Sequence, residues 1–166
     1  MYFASNRKGG YGGTDIYAVS VTDQCCLRRL TVGRFADNLS PTYAPDGRRI
    51  AFVSTRPGTP QVYAMSSDGT DQELLAPYDY GATGPSNAPE WSPDGRSLFF
   101  ISDRTGVSNV YRLDVASGAH TQVTDIVTGV SGITALRPSI SVGGNRLVFS
   151  AYEEDKHRIY SVEDEA

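Results

Sequence analysis

The phrase WSPDGRSLFF at residues 91–100 occurs a second time, slightly altered, as YAPDGRRIAF at residues 43–52. Each copy places a Pro-Asp-Gly turn between an aromatic residue and a run of apolar residues. The turn aspartates, Asp46 and Asp94, are 48 residues apart. The same spacing relates Tyr43 to Trp91, Phe52 to Phe100 and Tyr63 to Tyr111. A fixed spacing of this kind is the signature of an internal repeat.

The repeat extends beyond these two copies in both directions. A shift of 49 residues carries Pro89, Trp91, Phe100 and Tyr111 onto Pro138, Ile140, Phe149 and Tyr160, and it carries Phe3 and Arg7 onto Phe52 and Arg56. The single predicted domain, residues 1–166, therefore divides into units 1–38, 39–86, 87–133 and 134–166. The first unit lacks its first strand and the last unit lacks its fourth, which predicts fourteen strands.

Within a unit the sequence indicates β-strands and no helix. Short runs rich in Val, Ile, Phe and Tyr are bounded by Gly, Pro, Asp and Ser, which is typical of strands joined by tight turns. In the third unit the predicted strands are APEWS, RSLFFIS, SNVYRLDV and HTQVTDI, and SPDG and VASGA supply turn residues. Each unit is thus predicted to be a four-stranded antiparallel meander.

The second strand of each unit indicates how the units pack. IAFV, LFFI and LVF are apolar on both faces, as expected for a strand in a sheet that is covered on both sides. The fourth strand is more polar, which suits an edge that faces water. Four-stranded sheets repeated at this period describe the blades of a β-propeller. A β-sandwich and an irregular β-solenoid are the all-β alternatives.

The fourth unit departs from the repeat at its first turn. Val142, Gly143 and Gly144 stand where Pro, Asp and Gly are expected. Because a glycine pair can still form a turn, the departure concerns the local register and not the presence of a blade.

The complete units resemble a known class of repeat. SPTYAPDGRRIAFVSTRPGTPQVYAMSSDGT and APEWSPDGRSLFFISDRTGVSNVYRLDVASG are similar to the PD40 (WD40-like) repeats of TolB-like β-propellers, and FASNRKGGYGGTDIY resembles repeats of envelope proteins that carry such propellers. The resemblance covers nearly the whole chain. It implies the bacterial cell envelope, most often the periplasm, and protein partners in a membrane or envelope complex.

Two functions are compatible with this resemblance. The favoured one is a non-catalytic protein–protein interaction module, a scaffold or accessory subunit of a larger bacterial envelope or membrane-associated assembly, with open blade edges covered by partners. The alternative is the propeller fragment of a prolyl-oligopeptidase-like serine peptidase whose catalytic domain is absent.

The terminal units raise the question of how the arc is completed. Closed propellers typically have about 4 to 8 blades, so four units with incomplete ends predict an open arc or part of a larger propeller. Neither MYFAS nor RLVFSAYEEDKHRIYSV resembles a polar cap. The chain could be a fragment, could complete a ring by self-association, or could dock its ends onto other subunits.

Composition narrows the class of partner. A net charge of −4 and a pI of about 5.1 argue against a nucleic-acid surface. No run approaches the roughly 18 apolar residues of a membrane helix, so the sequence predicts no transmembrane segment of its own. No apolar signal segment opens this chain, because Met1 leads directly into a predicted strand.

Cys25 and Cys26 are the two cysteines of the chain and are adjacent. Neighbouring residues of a strand point to opposite faces, so a disulfide between them would be strained. The sequence therefore predicts free thiols.

No catalytic residue is assigned. The stretch TGVSGI lacks the Gly-x-Ser-x-Gly spacing of a nucleophile elbow, and His120 and His157 have no evident nucleophile partner in sequence. We predict no cofactor and no metal; Ca²⁺ is the alternative. The acidic groups concerned are Asp68, Asp71 and Glu73, and Glu153, Glu154 and Asp155, and neither has the spacing of a calcium loop.

The candidate partner-binding surface is the side of the blades that carries the loops between strands two and three and the connections between units. Rigid scaffolds commonly carry function on such loops, and Tyr and Arg are enriched at interaction hot spots. The candidate residues are Arg7, Arg34, Phe35, Arg56, Tyr78, Asp79, Tyr80 and Arg104. The alternative is that the arginines pin loops through carbonyl groups and the tyrosines pack locally.

The aromatic residues that recur once per unit are assigned to packing between blades. They are Phe3, Phe52, Phe100 and Phe149 with Tyr17, Tyr63, Tyr111 and Tyr160, and Trp91 is assigned to the core as well.

Overall fold

The computed structural model describes residues 1–7, 12–23, 25–33, 35–75, 84–131 and 139–163, and in these ranges the protein is all-β. The described residues form fourteen strands. They are β1 (Tyr2–Ser5), β2 (Asp15–Ala18), β3 (Arg28–Arg29), β4 (Asn38–Tyr43), β5 (Arg49–Ser54), β6 (Gln61–Ser66), β7 (Glu73–Leu74), β8 (Ser86–Trp91), β9 (Ser97–Ser102), β10 (Asn109–Asp114), β11 (His120–Gln122), β12 (Ile140–Gly143), β13 (Arg146–Glu153) and β14 (Lys156–Glu163). No helix that could cross a bilayer occurs among these residues.

The strands form four antiparallel sheets in chain order. The first and last sheets have three strands, β1-β2-β3 and β12-β13-β14, and the middle two have four, β4-β5-β6-β7 and β8-β9-β10-β11. The inner strands β1, β4, β8 and β12 contact one another in that order. The four sheets of the described strands do not close into a ring, so the predicted arc of propeller blades is confirmed as a partial propeller.

The repeated phrase is repeated in three dimensions. The amide of Gly47 donates to the carbonyl of Ala44, and the amide of Gly95 donates to the carbonyl of Ser92, both at 2.9 Å. Both glycines have φ near +70°, at 73° and 72°, a conformation that glycine adopts without steric cost. The PDG sequence therefore builds the same turn between the first and second strands of both middle sheets.

The deviant turn of the fourth unit uses other residues. Val142 and Gly143 belong to β12, and the two-residue loop is Gly144 and Asn145, with φ of 53° and 54°. Two successive residues with positive φ are typical of a type I′ hairpin turn. The turn thus lies nearer to the C-terminus than the repeat predicts, which is the local change of register expected for this unit.

Three apolar clusters join the sheets. Ile16 and Leu30 of the first unit pack with Ile50, Phe52 and Met65 of the second. The other two clusters join the second sheet to the third and the third to the fourth. Residues 50–54 of β5 and 98–102 of β9 are buried without alternation. The prediction that second strands lie between two layers is confirmed for both middle units.

The recurrent aromatic residues form one cross-strand stack in each sheet. The pairs are Phe3 with Tyr17, Phe52 with Tyr63, Phe100 with Tyr111 and Phe149 with Tyr160, with ring centroids 5.7–5.9 Å apart. The last three pairs also pack in or against the clusters between sheets. Trp91 is 6% exposed and belongs to the cluster between the second and third sheets, so its assignment to the core is confirmed.

The prediction of free thiols is wrong, because Cys25 and Cys26 form a disulfide. The prediction assumed a strand at these positions, whereas β3 begins at Arg28 and both cysteines lie in the connection that precedes it. Cys26 has a φ of 65°. Outside a pleated strand the side chains of adjacent residues need not point to opposite faces, so the two sulfur atoms can meet.

Candidate interaction surface

We call one side of the arc the loop face and define it by residues 30–33, 35–37, 55–60, 84–85, 103–108 and 126–131. Backbone hydrogen bonds bring these segments together. Thr55 donates to the carbonyl of Asp37 at 3.0 Å, Ser86 donates to that of Pro60 at 2.9 Å, and Val130 donates to that of Ser108 at 2.7 Å. The loops between second and third strands therefore lie beside the connections between units, as predicted from the meander.

Buried polar side chains at the start of β2 and of β10 position two of these connections. Asp15 Oδ1 accepts hydrogen bonds from Thr31 Oγ1 at 2.8 Å and from the amide of Gly33 at 2.9 Å. In the third unit Asn109 Oδ1 accepts from Thr124 Oγ1 at 2.8 Å and from the amide of Ile126 at 2.9 Å. Because buried polar groups are costly without partners, each bond set holds its connection in one conformation.

Arg56 is engaged within its own sheet. Its guanidinium group lies over the rings of Phe52 and Tyr63, 5.8 and 4.7 Å from their centroids. Its Nε donates to Ser54 Oγ at 3.0 Å, and its Nη2 donates to Asn38 Oδ1 at 3.2 Å. A cation over aromatic faces adds electrostatic attraction to packing.

Arg104 repeats this arrangement in the third sheet. It lies 5.1 Å from the ring of Phe100 and 4.9 Å from that of Tyr111, and its Nε donates to Ser102 Oγ at 3.3 Å. Among the described contacts, both arginines thus support the fold through side-chain oxygens and aromatic rings. Their contact with a partner stays a prediction.

The other predicted surface residues have different positions. Phe35 is 88% exposed on the loop face, with a φ of 61°, and Arg7 is exposed after β1. Arg34, Tyr78, Asp79 and Tyr80 lie outside the described residues.

Two further apolar residues on the loop face were not predicted from the sequence. Val32 is 67% exposed and Val127 is 91% exposed. Neither belongs to a strand, so alternation gave no signal for the direction of their side chains. Together with Phe35 they place apolar groups on loops whose ends are held by buried hydrogen bonds.

A cleft also lies along the inner strands. β1, β4 and β8 line a cleft of about 460 Å³ that includes Ala4, Pro41, Pro89 and Glu90. Thr42 Oγ1 donates to Glu90 Oε2 at 3.5 Å, and burial raises the pKa of the Glu90 carboxyl although this bond lowers it. The sequence signal for this pair was available, because Thr42 and Glu90 are 48 residues apart.

Five of the six carboxylates considered for calcium, all except Asp155, have protein partners among the described residues. Ser66 donates to Asp71, Arg49 pairs with Glu73, Tyr160 donates to Glu153, and Arg158 pairs with Glu154. Hydrogen bonds from Thr70 lower the pKa of Asp68. Within the described ranges, no group of three or more His, Cys, Asp or Glu residues is arranged to hold a metal ion.

Comparison with known proteins gives partial matches in sequence. No family model matches the chain. A stretch of 61 residues, 37% of this chain, is 46% identical to the Protein TolB homolog of Chlorobium luteolum. A stretch of 58 residues is 41% identical to the Tol-Pal system protein TolB of Bordetella pertussis. Each match spans 13% of the relative's own length.

Similarity in structure extends over 90–99% of the chain. A structure assigned to TolB of Agrobacterium tumefaciens superposes with a TM-score of 0.73 at 24% identity, over 98% of this chain and 57% of that one. TolB from Acinetobacter baumannii gives 0.69 at 20% identity, over 99% of this chain and 38% of that one. Puromycin hydrolase gives 0.71 at 16% identity, over 90% and 23%. At these identities the likeness in structure establishes the fold alone.

Proposed function

Because this chain is built from TolB-like β-propeller repeats, we propose that it is a non-catalytic protein–protein interaction module. In this role it is a scaffold or accessory subunit of a larger assembly in the bacterial envelope or at a membrane. The chain spans 13% of the length of the curated relatives that it matches. The proposed role therefore concerns this segment alone and is not the function of a whole relative.

The observation that carries the proposal is the exposed apolar set on the loop face. Phe35 and Val127 are 88% and 91% exposed. Large exposed aromatic and aliphatic groups lose little conformational entropy on binding when rigid elements hold them. Asp15 and Asn109 anchor the connections that carry these two residues. The loop face is therefore preorganised to bury Phe35 and Val127 against another protein.

Two observations support a location in the envelope. One curated relative is named as a Tol-Pal system protein. The second is the Cys25–Cys26 disulfide, because disulfides persist in oxidising compartments such as the periplasm and are rare in the cytosol.

The test is photo-crosslinking from the loop face. A photoreactive amino acid replaces Phe35 in one variant and Val21 in a control, and each purified chain is irradiated with a detergent extract of bacterial envelope. Val21 is 65% exposed in the connection between β2 and β3, away from the loop face. We expect a discrete adduct from position 35, which is lost on adding an excess of unlabelled chain but not of the Phe35→Ala/Val127→Ser variant. Equal adducts from both positions would contradict the proposal.

The absence of catalysis is also part of the proposal. The likeness to puromycin hydrolase favours the alternative, a propeller that belongs to a serine peptidase. A fluorophosphonate probe, which labels activated serines covalently, tests whether this segment itself carries a nucleophile. We expect no labelled serine; a labelled one would show that the segment carries a nucleophile.

Calcium and self-association are separate questions with direct measurements. We propose that the module needs no cofactor and works through a different protein. Calorimetric titration with Ca²⁺ should give no binding heat, and light scattering should give the mass of one chain at both low and high salt. A defined oligomer would instead favour completion of the arc by copies of the same chain.

A further inference from the structure

The Cys25–Cys26 disulfide is accessible from outside. Both cysteines are exposed, as are Val21 and Leu27 in the same connection, at 65% and 45%. The amide of Ser20 donates to the carbonyl of Cys25 at 3.2 Å, and this hydrogen bond ties Cys25 to the residues that follow β2. Thiol–disulfide exchange requires that a thiolate approach a disulfide sulfur, and the surface position of this pair permits that approach.

The surroundings of the two sulfur atoms differ. Cys26 lines a cleft of about 280 Å³ together with Tyr2, Ser20 and Arg28. Arg28 is held in place because its Nη2 donates to the carbonyl of Asp68 at 3.0 Å. A neighbouring guanidinium group stabilises a thiolate and lowers its pKa. Because Cys26 lines the cleft with Arg28 and Cys25 does not, we take Cys26 as the leaving group and Cys25 as the sulfur that is attacked.

We propose that Cys25–Cys26 is a thiol–disulfide exchange site for an external dithiol. A thiolate of the dithiol attacks Cys25 Sγ, the S–S bond breaks, and Cys26 leaves as a thiolate that takes a proton from water. The second thiol of the dithiol loses its proton, and the resulting thiolate attacks the dithiol sulfur that is bonded to Cys25. This step releases Cys25 as a thiolate, which is then protonated. The protein disulfide gains two electrons and two protons, and the dithiol becomes a disulfide.

Reduction produces two adjacent thiols and loosens the turn. Cys26 has a φ of 65°, which a residue other than glycine adopts at a cost, so without the covalent link the connection can leave this conformation. Adjacent thiols also bind soft thiophilic ions. A monosubstituted arsenic(III) compound, which takes two thiolates, is therefore a probe for the reduced pair.

The experiment uses the 166-residue chain purified without reductant. Native chain is alkylated with iodoacetamide before and after incubation with dithiothreitol, and the intact mass counts the modified thiols. We expect no alkylation before reduction and two alkylated cysteines after it, with an unchanged far-ultraviolet circular dichroism spectrum. Phenylarsine oxide should form a one-to-one adduct with the reduced chain and prevent alkylation. It should form none with the Cys25→Ser or Cys26→Ser variant.

Arg28 provides the test of the leaving-group assignment. Arg28→Ala should slow reduction by dithiothreitol about threefold, since the rate rises as the pKa of the leaving thiol falls. Arg96→Ala is the matched control, because its side chain is 86% exposed in the turn between β8 and β9 of another sheet, and its rate should be unchanged. Alkylation of both cysteines without reductant, or reduction only after unfolding in urea, would overturn the proposal. Equal rates for Arg28→Ala and the unmodified chain would overturn the role of Arg28.

Discussion

At the scale of single residues, Asp15 shows how one buried carboxylate organises a connection between sheets. It is 1% exposed, pairs with Arg29, and accepts hydrogen bonds from Thr31 and Gly33. Asn38, the first residue of β4, also donates to it at 3.3 Å. The one side chain thus joins the third strand of one blade to the first strand of the next.

Replacing Asp15 by Ala should lower the free energy of unfolding by about 3 kcal/mol, because Arg29 and the amide of Gly33 lose a buried partner. Urea titration with an unchanged m-value checks this. Asp46→Ala is the control: Asp46 is exposed, its Oδ1 accepts from the amide of Arg48 at 2.9 Å, and its loss should cost less than about 1 kcal/mol. Equal losses for the two variants would contradict the anchoring role.

At the scale of elements, the inner strands β4 and β8 share an irregularity that shapes the cleft. Each has a register shift, between Leu39 and Thr42 and between Asn87 and Glu90. Ser40 and Ala88, 48 residues apart, have φ of 50° and 51°. A bulge of this kind redirects the following side chains, which is why Glu90 comes to line the cleft.

Glu90→Gln should raise the free energy of unfolding at pH 7. Burial raises the pKa of Glu90 above its ordinary 4.5 in the folded state, so the ionised carboxylate costs stability above the folded-state pKa. That cost is relieved as the pH falls toward 4.5, because the folded protein then binds the proton more readily than the unfolded chain. The gain from Gln should therefore shrink to near zero below pH 4.5. A gain independent of pH between 4 and 7 would contradict this cause.

At the scale of the whole molecule, the arc depends on how closely adjacent sheets approach. Gly69, in the turn between β6 and β7, lies against β3 and Leu30 of the preceding sheet. A Cβ at this position would stand 2.8 Å from the carbonyl oxygen of Leu30 and 3.1 Å from its Cα. Gln72 Nε2 also donates to that carbonyl at 3.3 Å. The turn of one blade therefore packs directly on the backbone of its neighbour.

Gly69→Ala should destabilise the protein by about 2–4 kcal/mol, because an unfavourable φ and overpacking add. Gly58→Ala isolates the backbone effect: its φ is 100°, close to the 96° of Gly69, but a Cβ there meets no atom within 4 Å. It should cost about 1–2 kcal/mol. Thermal unfolding of both variants checks the difference, and equal shifts in Tm would mean that the contact with Leu30 can relax freely.

The regular part of the fold was predictable because it is local and repeated. The PDG turns and the apolar second strands depend on neighbouring residues, and they recur with a 48-residue spacing. They therefore predict the meander, the strand count and the core aromatics such as Phe100 and Trp91. The loop face also followed from strand order alone. Its arginines recur at the spacing of the units. The sequence does not show, however, whether Arg56 stacks on its own blade or faces a partner.

The features that the sequence did not predict lie where residues leave the repeat or meet across sheets. The Cys25–Cys26 disulfide depends on a connection with positive φ that strand alternation does not describe. The exposure of Val127 and the position of Glu90 depend on loop paths and bulges set by partners far along the chain. The class of blade was predictable from the sequence, because strand and turn preferences act over a few residues. The tertiary structure decided which side chains reach solvent, because that depends on contacts between units.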